Sequence, residues 1–134
     1  MMIARAEKPM SFRPRLVLAY ADSAHAALSC RHLRRLGWEV HLAHSGTDAR
    51  RLARLLAPQV VVLDTDLREE SGWLTCVKLK MENPAQKVVL VTGAIDTEAQ
   101  AYAEFVGATA LVARDCGVPA LLESVPASNS NTAA

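Results

Sequence analysis

The sequence has few aromatic residues, few glycines and no long apolar segment. Aromatic residues make up 4% of the 134 positions, and six positions are glycine. No stretch of 18 consecutive apolar residues occurs, so the sequence predicts no membrane-spanning helix. Residues 1–13 lack the apolar centre of a signal peptide. Because 51% of the residues are hydrophobic, we expect one folded domain and not a disordered chain.

Cysteine is also scarce. Cys30, Cys76 and Cys116 are odd in number and have no CxxC spacing, which argues against a disulfide framework and against a zinc site. This usage favours a reducing compartment, and we expect a cytoplasmic protein.

Motifs of enzymes are missing as well. The segment ADSAHAA, after the first apolar run, has no glycine, so no phosphate-binding loop follows that run. No nucleophile elbow occurs, and the four histidines suggest no catalytic triad. We therefore expect no enzyme and assign no catalytic residue.

The charge is nearly balanced overall but uneven along the chain. The net charge is +1, with +6 through Val62 and −5 beyond it. A basic half raises the question of nucleic-acid binding. We do not expect that role, because the arginines concerned lie on two helices that the predicted fold places on opposite faces of a sheet. They are Arg31, Arg34 and Arg35 on the first helix and Arg50, Arg51 and Arg54 on the second.

Five short runs rich in valine and leucine alternate with segments of helical spacing. The predicted strands are residues 15–21, 39–43, 59–64, 87–92 and 109–113. The predicted helices are residues 23–36, 47–56, 72–81, 97–105 and 118–125. Alternating strands and helices predict a parallel sheet with right-handed crossovers. We predict an α/β, flavodoxin-like three-layer sandwich with strand order 2-1-3-4-5, an extension at 1–14, a domain at 15–126 and a disordered tail at 127–134.

Polar residues follow the predicted strands at the edge where ligands collect in such sheets. Asp64 ends the run Val60-Val61-Val62-Leu63, so its carboxylate lies at the rim of an apolar layer. A charge there is costly without a partner. Thr92 ends the fourth strand, and Arg114 follows the fifth. We expect Arg114 to pair with a carboxylate or a phosphate in bidentate fashion.

Four stretches resemble the receiver domain of bacterial response regulators, across residues 15–125. They are LGWEVHLAHSGTDA, VVVLDTDLREESG, VVLVTG and FVGATALVARD. The resemblance implies two-component (phosphorelay) signalling, with Asp64 as the phospho-acceptor, Thr92 as the switch hydroxyl and Arg114 at the lysine position. It also implies a Mg²⁺ cofactor held near Asp64.

Several positions depart from the family pattern. Tyr20 and Ala21 stand where the family has an acidic pair that holds Mg²⁺, and Leu111 stands at the aromatic switch position. Mg²⁺ prefers hard oxygen ligands, so the missing acidic pair predicts a defective metal site and weak phosphorylation. The main alternative is a conventional phospho-acceptor with a shifted metal site formed by Asp22, Asp64 and Asp66. A lower alternative is a flavodoxin-like domain that binds a small molecule.

The expected output is protein contact. Because the 134 residues include no output domain, the sequence predicts a stand-alone receiver whose partner is a histidine kinase or a downstream effector. We also expect a homodimer through the fourth helix, fifth strand and fifth helix, and no membrane partner.

Overall fold

Residues 13–114 are described by a computed structural model, in which five strands alternate with four helices. The strands are β1 (Arg15–Ala19), β2 (Glu39–Leu42), β3 (Val60–Asp64), β4 (Lys87–Thr92) and β5 (Ala110–Ala113). The helices are α1 (Ser23–Arg35), α2 (Gly46–Leu56), α3 (Gly72–Glu82) and α4 (Thr97–Val106). The predicted helix at 118–125, the tail at 127–134 and most of the extension at 1–14 lie outside the described residues.

All five strands are parallel, in the order β2-β1-β3-β4-β5. This confirms the predicted topology. The three inner strands, β1, β3 and β4, are almost fully buried after their first residues. Helices cover both faces of these strands, which explains why they read as continuous apolar runs.

The sheet separates two layers of apolar side chains. Helix α1 packs on one face through Cys30 and Leu33, with Trp38 beside them. Helices α2 and α3 cover the other face, where Ala49, Cys76 and Leu79 belong to the second layer. Helices α1 and α2 therefore lie on opposite faces, as predicted.

Strand β1 is shorter than predicted, since it ends at Ala19 and not at residue 21. The physical reason is a change of partner at the strand end. The backbone N–H of Ala21 donates to the side chain of Asp64 and not to a neighbouring strand. The chain therefore leaves the sheet where the candidate site begins.

The helical spacing of Ala24, Ala27, Leu28, Leu33 and Leu36 predicts that these positions face the core, and the buried face of α1 differs from that prediction. Leu33 is buried, but Leu28 is 42% and Leu36 53% exposed. Ser29 and Cys30 are buried instead. Ser29 tolerates burial because its hydroxyl shares a hydrogen bond with the phenol of Tyr20.

Helix ends follow ordinary capping chemistry. Asp22, Ser45, Ser71 and Asp96 each accept a hydrogen bond from a backbone N–H in the first turn of the following helix. At the other end of α4, Gly107 adopts φ = 81°, the left-handed conformation that ends many helices. Among residues 13–114, no helix has the length and apolar character needed to cross a bilayer.

Candidate functional site

The carboxylate of Asp64 lies at the carboxyl end of β3, in the centre of the sheet. Asp64 is 1% exposed. Strands β1 and β4 flank β3 on either side, so the loops after these strands surround the side chain. An ionised carboxylate at this depth requires hydrogen-bond donors that replace water.

Three donors occupy the two oxygens of Asp64. Oδ2 accepts the backbone N–H of Ala21 (3.1 Å), and Oδ1 accepts the backbone N–H of Asp66 (3.0 Å). Oδ1 also accepts Nη2 of Arg114, at 2.5 Å. The last contact is an ion pair between two largely buried side chains, with side-chain exposures of 22% for Arg114 and 2% for Asp64. The charge of Asp64 is therefore balanced by a cation that belongs to the chain.

Arg114 bridges two carboxylates and is not bidentate to one. The same Nη2 atom that donates to Asp64 also donates to Oδ2 of Asp66, at 3.2 Å. Within residues 13–114, the buried Nε of Arg114 has no hydrogen-bond partner. The bidentate geometry expected from the sequence was therefore wrong, because the guanidinium points one nitrogen between the two acids. Burial lowers the pKa of Arg114, but the bonds and charges of Asp64 and Asp66 outweigh it and raise the pKa.

Thr92 lies beside Asp64 on the next strand, but no bond joins the two side chains. Thr92 is 8% exposed, and its hydroxyl accepts a 3.3 Å hydrogen bond from the hydroxyl of Thr65, the residue that follows Asp64. The two hydroxyls link the ends of β3 and β4.

Tyr20 and Ala21 occupy the start of the loop after β1. Ala21 contributes its backbone N–H to the site, whereas Tyr20 packs its ring against the core layer on the α1 side. Burial raises the pKa of the Tyr20 phenol above its ordinary value. The phenol is thus a neutral side chain next to the site.

The three acids of the alternative metal site do not converge. Asp22 lies at the start of α1, where Oδ1 accepts the backbone N–H of Ala24 and Oδ2 is 3.5 Å from Nδ1 of His25. Asp66 is held by Arg114. Across the described range, no three His, Cys, Asp or Glu side chains form a group that could hold a metal ion. The set Asp22, Asp64 and Asp66 is therefore not assembled.

A second buried carboxylate, Glu70, anchors the loop between β3 and α3. Arg50 of α2 donates Nε to Oε2 and Nη2 to Oε1, both at 3.1 Å. Thr75 donates its hydroxyl to Oε2 (2.6 Å), and Lys78 donates Nζ to Oε1 (3.0 Å). Burial raises the pKa of Glu70, but these donors outweigh it and lower the pKa to about 2.

This anchor was missed from the sequence. Arginines on an amphipathic helix ordinarily face solvent, yet the side chain of Arg50 is 17% exposed and pairs with Glu70. The two residues are twenty positions apart, and no periodic pattern connects a helix to a loop. The remaining arginines of α2 also have acidic partners, since Arg51 pairs with Asp48 and Arg54 with Glu82.

Comparison with known proteins gives the family. Residues 19–126 match the response regulator receiver domain. The chain belongs to the response regulator receiver domain family, whose members act in two-component signalling and contact histidine kinases and effectors. The probable transcriptional regulatory protein TcrX of Mycobacterium tuberculosis is 43% identical over 60 residues. That alignment covers 45% of this chain and 26% of TcrX, so the chain matches about a quarter of that relative.

Solved receiver structures share the fold. The receiver domain of the Francisella response regulator 1452 superposes with a TM-score of 0.81 at 18% identity, covering 89% of this chain and 98% of that one. A CheY-like receiver domain from Methanospirillum hungatei JF-1 superposes with a TM-score of 0.76 at 22% identity. The match covers 82% of this chain and 88% of that one. A response regulator from Burkholderia pseudomallei was solved with a phosphorylated aspartic acid, calcium ion and citrate. It superposes with a TM-score of 0.74 at 22% identity, and the match covers 90% of this chain and 69% of that one.

Proposed function

We propose that this chain is an atypical receiver domain that signals by protein contact, and that Mg²⁺-dependent phosphorylation of Asp64 is impaired. Asp64 is the residue at the phospho-acceptor position, Thr92 the residue at the switch position and Arg114 the replacement of the lysine. The observation that carries the proposal is the ion pair between Arg114 and Asp64, with Arg114 also on Asp66.

The residues around Asp64 do not fit a divalent cation. A cation site needs free oxygen ligands, but Oδ1 of Asp64 faces Nη2 of Arg114 and Oδ2 faces the N–H of Ala21. These are donors, and the guanidinium carries a positive charge that repels a second cation. The neighbouring position, Tyr20, offers a phenol with a raised pKa. Receiver domains typically bind Mg²⁺ at the phosphorylation site, whereas here Asp64 and Asp66 are both paired with the guanidinium of Arg114.

The same contacts oppose phosphoryl transfer. The transfer forms a bond between an Asp64 oxygen and phosphorus and breaks the bond from phosphorus to the leaving group, which is acetate for acetyl phosphate and ammonia for phosphoramidate. The Asp64 oxygen must therefore approach an anionic phosphoryl donor. Metal ions normally neutralise the charge that builds up on the equatorial oxygens. Within the described range, the cation next to Asp64 is Arg114, and it is already paired with Asp64 and Asp66. A phosphoryl donor would have to displace Arg114 from Asp64 before reaction.

The test is chemical phosphorylation followed by intact mass. Wild-type protein is incubated with acetyl phosphate or phosphoramidate, with Mg²⁺ and with a matched sodium salt. We expect no phosphoryl adduct in either condition and no Mg²⁺-dependent change of the melting temperature. A matched variant, Tyr20→Asp with Ala21→Asp and Arg114→Lys, restores the family pattern. We expect that variant to bind Mg²⁺ and to gain one phosphoryl group.

The site of any adduct decides the outcome. Adding Asp64→Ala to the restored variant should abolish its adduct and so assign the phosphoryl group to Asp64. Stoichiometric phosphorylation of the wild type that is lost in Asp64→Ala would refute the proposal and favour the conventional receiver. The proposal does not extend to an enzyme activity or to small-molecule binding.

A further inference from the structure

The arginines of α1 differ from the other arginines of the sheet and its helices. Arg15, Arg50, Arg51, Arg54 and Arg114 each contact a carboxylate. In the part of the chain that the structure describes, Arg31, Arg34 and Arg35 contact none, and α1 itself contains no Asp or Glu. Cations near a helix C-terminus are favoured by the helix dipole, but Arg31 lies more than a turn before that end. This face of α1 carries three positive charges that no carboxylate within residues 13–114 neutralises.

These arginines border an open groove between α1 and the edge strand β2. The groove has a volume of about 540 Å³ and is lined by Ala27, Cys30, Arg31, Arg34, Arg35 and Leu42. Leu42, at the end of β2, is 41% exposed and forms an apolar wall. Ligand sites on proteins fall in the range of about 300–1,000 Å³. The space thus suits one or two apolar side chains of a partner, with arginines at its rim.

The edge of β2 does not favour an added strand as the occupant. Among residues 13–114, strand β2 pairs with β1 alone, so no described strand covers its outer edge. However, Nη2 of Arg34 donates to the carbonyl of Val40 on that strand, at 3.0 Å. A charged side chain on an edge strand blocks pairing with another strand. The groove beside it is therefore better suited to a helix that inserts side chains than to a strand that continues the sheet.

Nucleic acid fits this surface less well. Duplex DNA binding requires a stripe of cations along the phosphate backbone. The second set of arginines, on α2, lies on the opposite face of the sheet and is neutralised by Glu70, Asp48 and Glu82. The α1 groove instead combines an apolar floor with a short cluster of cations. An occupant with carboxylates around an apolar side chain satisfies both features.

We propose that the groove between α1 and β2 is a docking surface for an acidic amphipathic helix of a partner protein. An apolar side chain of that helix would lie against Ala27, Cys30 and Leu42. Its glutamate or aspartate side chains would pair with Arg31 and Arg35. The proposal rests on the proposed function in one respect, namely that the domain acts by protein contact.

The experiment uses a defined peptide and the whole chain. The probe is a fluorescein-labelled helical peptide of about 14 residues, with leucines spaced three and four apart and glutamates beside them. A second peptide has glutamine in place of every glutamate. Fluorescence anisotropy is measured at about 50 mM and about 300 mM salt. We expect the glutamate peptide to bind with a Kd of about 10–100 µM at low salt and the glutamine peptide at least about tenfold more weakly.

Charge reversal identifies the surface. Arg31→Glu with Arg35→Glu should weaken the glutamate peptide by at least about tenfold. The matched control is Lys87→Glu with Arg68→Glu, which makes the same change of net charge at exposed positions away from the groove. It should leave the Kd within about twofold. Leu42→Asn should weaken both peptides by about fivefold through the lost apolar contact. Circular dichroism and melting temperature show that each variant is folded.

Several results would overturn the proposal. Equal binding of the two peptides would do so, as would no binding up to about 1 mM or unchanged binding in the double arginine variant. Tighter binding of duplex DNA through the same arginines would show that the surface binds nucleic acid and not an acidic helix. If the chain self-associates in sedimentation velocity and the arginine variant does not, the occupant of the groove is a second copy of this chain and not another protein. The readout does not involve Asp64, so phosphorylation of the wild type would refute the proposed function and leave the docking result unaffected.

Discussion

The buried Glu70 should contribute more to stability than any surface ion pair of the domain. The sharpest perturbation is Glu70→Gln, which removes the charge but keeps the size of the side chain. Size matters here, because Glu70 is 7% exposed and its carboxylate is surrounded by Arg50, Thr75 and Lys78. Glutamine still accepts the hydroxyl of Thr75 and one N–H of Arg50. What is lost is the charge that balances Arg50 and Lys78.

Two independent estimates give the same magnitude. A fall in pKa from 4.5 to about 2 corresponds to about 3 kcal/mol of stability near neutral pH. Breaking a buried ion pair by removing one partner costs about 3–5 kcal/mol, and the hydrogen bonds that glutamine retains place the expected loss near the lower end. For a domain of this size, about 3 kcal/mol lowers the melting temperature by about 10 °C.

The assay is urea unfolding followed by circular dichroism, with Glu82→Gln as the matched control. Glu82 pairs with Arg54 at 3.1 Å, but the side chains are 43% and 54% exposed. An exposed pair contributes below about 1 kcal/mol, so the control should change the free energy of unfolding little. The comparison separates burial of the pair from the mere presence of opposite charges.

The pH dependence provides a second measurement. The folded pKa of Glu70 lies below its unfolded value, so its contribution is complete above the unfolded pKa and is lost as pH falls toward the folded pKa. The gap in stability between wild type and Glu70→Gln should be constant from about pH 7 to pH 5 and less than half as large at about pH 3. A Glu70→Gln loss no greater than that of Glu82→Gln, or a gap that does not shrink in acid, would refute the reasoning.

Two further predictions concern packing. Gly72→Ala should destabilise the fold by about 2 kcal/mol, because a Cβ would lie 2.3 Å from the carbonyl oxygen of Asp64. Gly93→Ala should destabilise it less, because a Cβ there would meet only a flexible side chain, at 3.3 Å. Thermal unfolding of the two variants compares these losses of stability. Burial raises the pKa of Cys76 to about 11. In a Cys116→Ser background its thiol should react with a thiol reagent only after unfolding, and rapid labelling of the folded protein would contradict this.

The sheet was predictable because its central strands are buried on both faces. Residues of β3 such as Val61 and Val62 face opposite layers, and both layers are apolar, so the strand stands out in the sequence. Topology followed from the alternation of strands and helices. The ends of elements were less certain, since they depend on contacts that no local pattern contains. Strand β1 stops where Ala21 finds the carboxylate of Asp64.

The candidate site was predictable in its composition but only partly in its contacts. Asp64 and Arg114 follow strands that the strand order places near one another, and a pair between them was among the expectations. The single-nitrogen bridge to Asp66 was not, because side-chain geometry is set by tertiary packing. The anchor of Arg50 on Glu70 was also hidden, since arginines on an amphipathic helix ordinarily face solvent.

The buried carboxylates of Asp64 and Glu70 hold opposite ends of the loop after β3. Glu70 fastens its far end to α2 and α3, while Asp64 and Asp66 fasten its near end to Arg114 after β5. Phosphate-dependent switching requires a loop whose contacts change when charge is added at the acceptor. Here both ends are already held by ion pairs within the chain. The proposed function therefore predicts a receiver that presents one surface constantly, so that its signal depends on which partner is present and at what concentration.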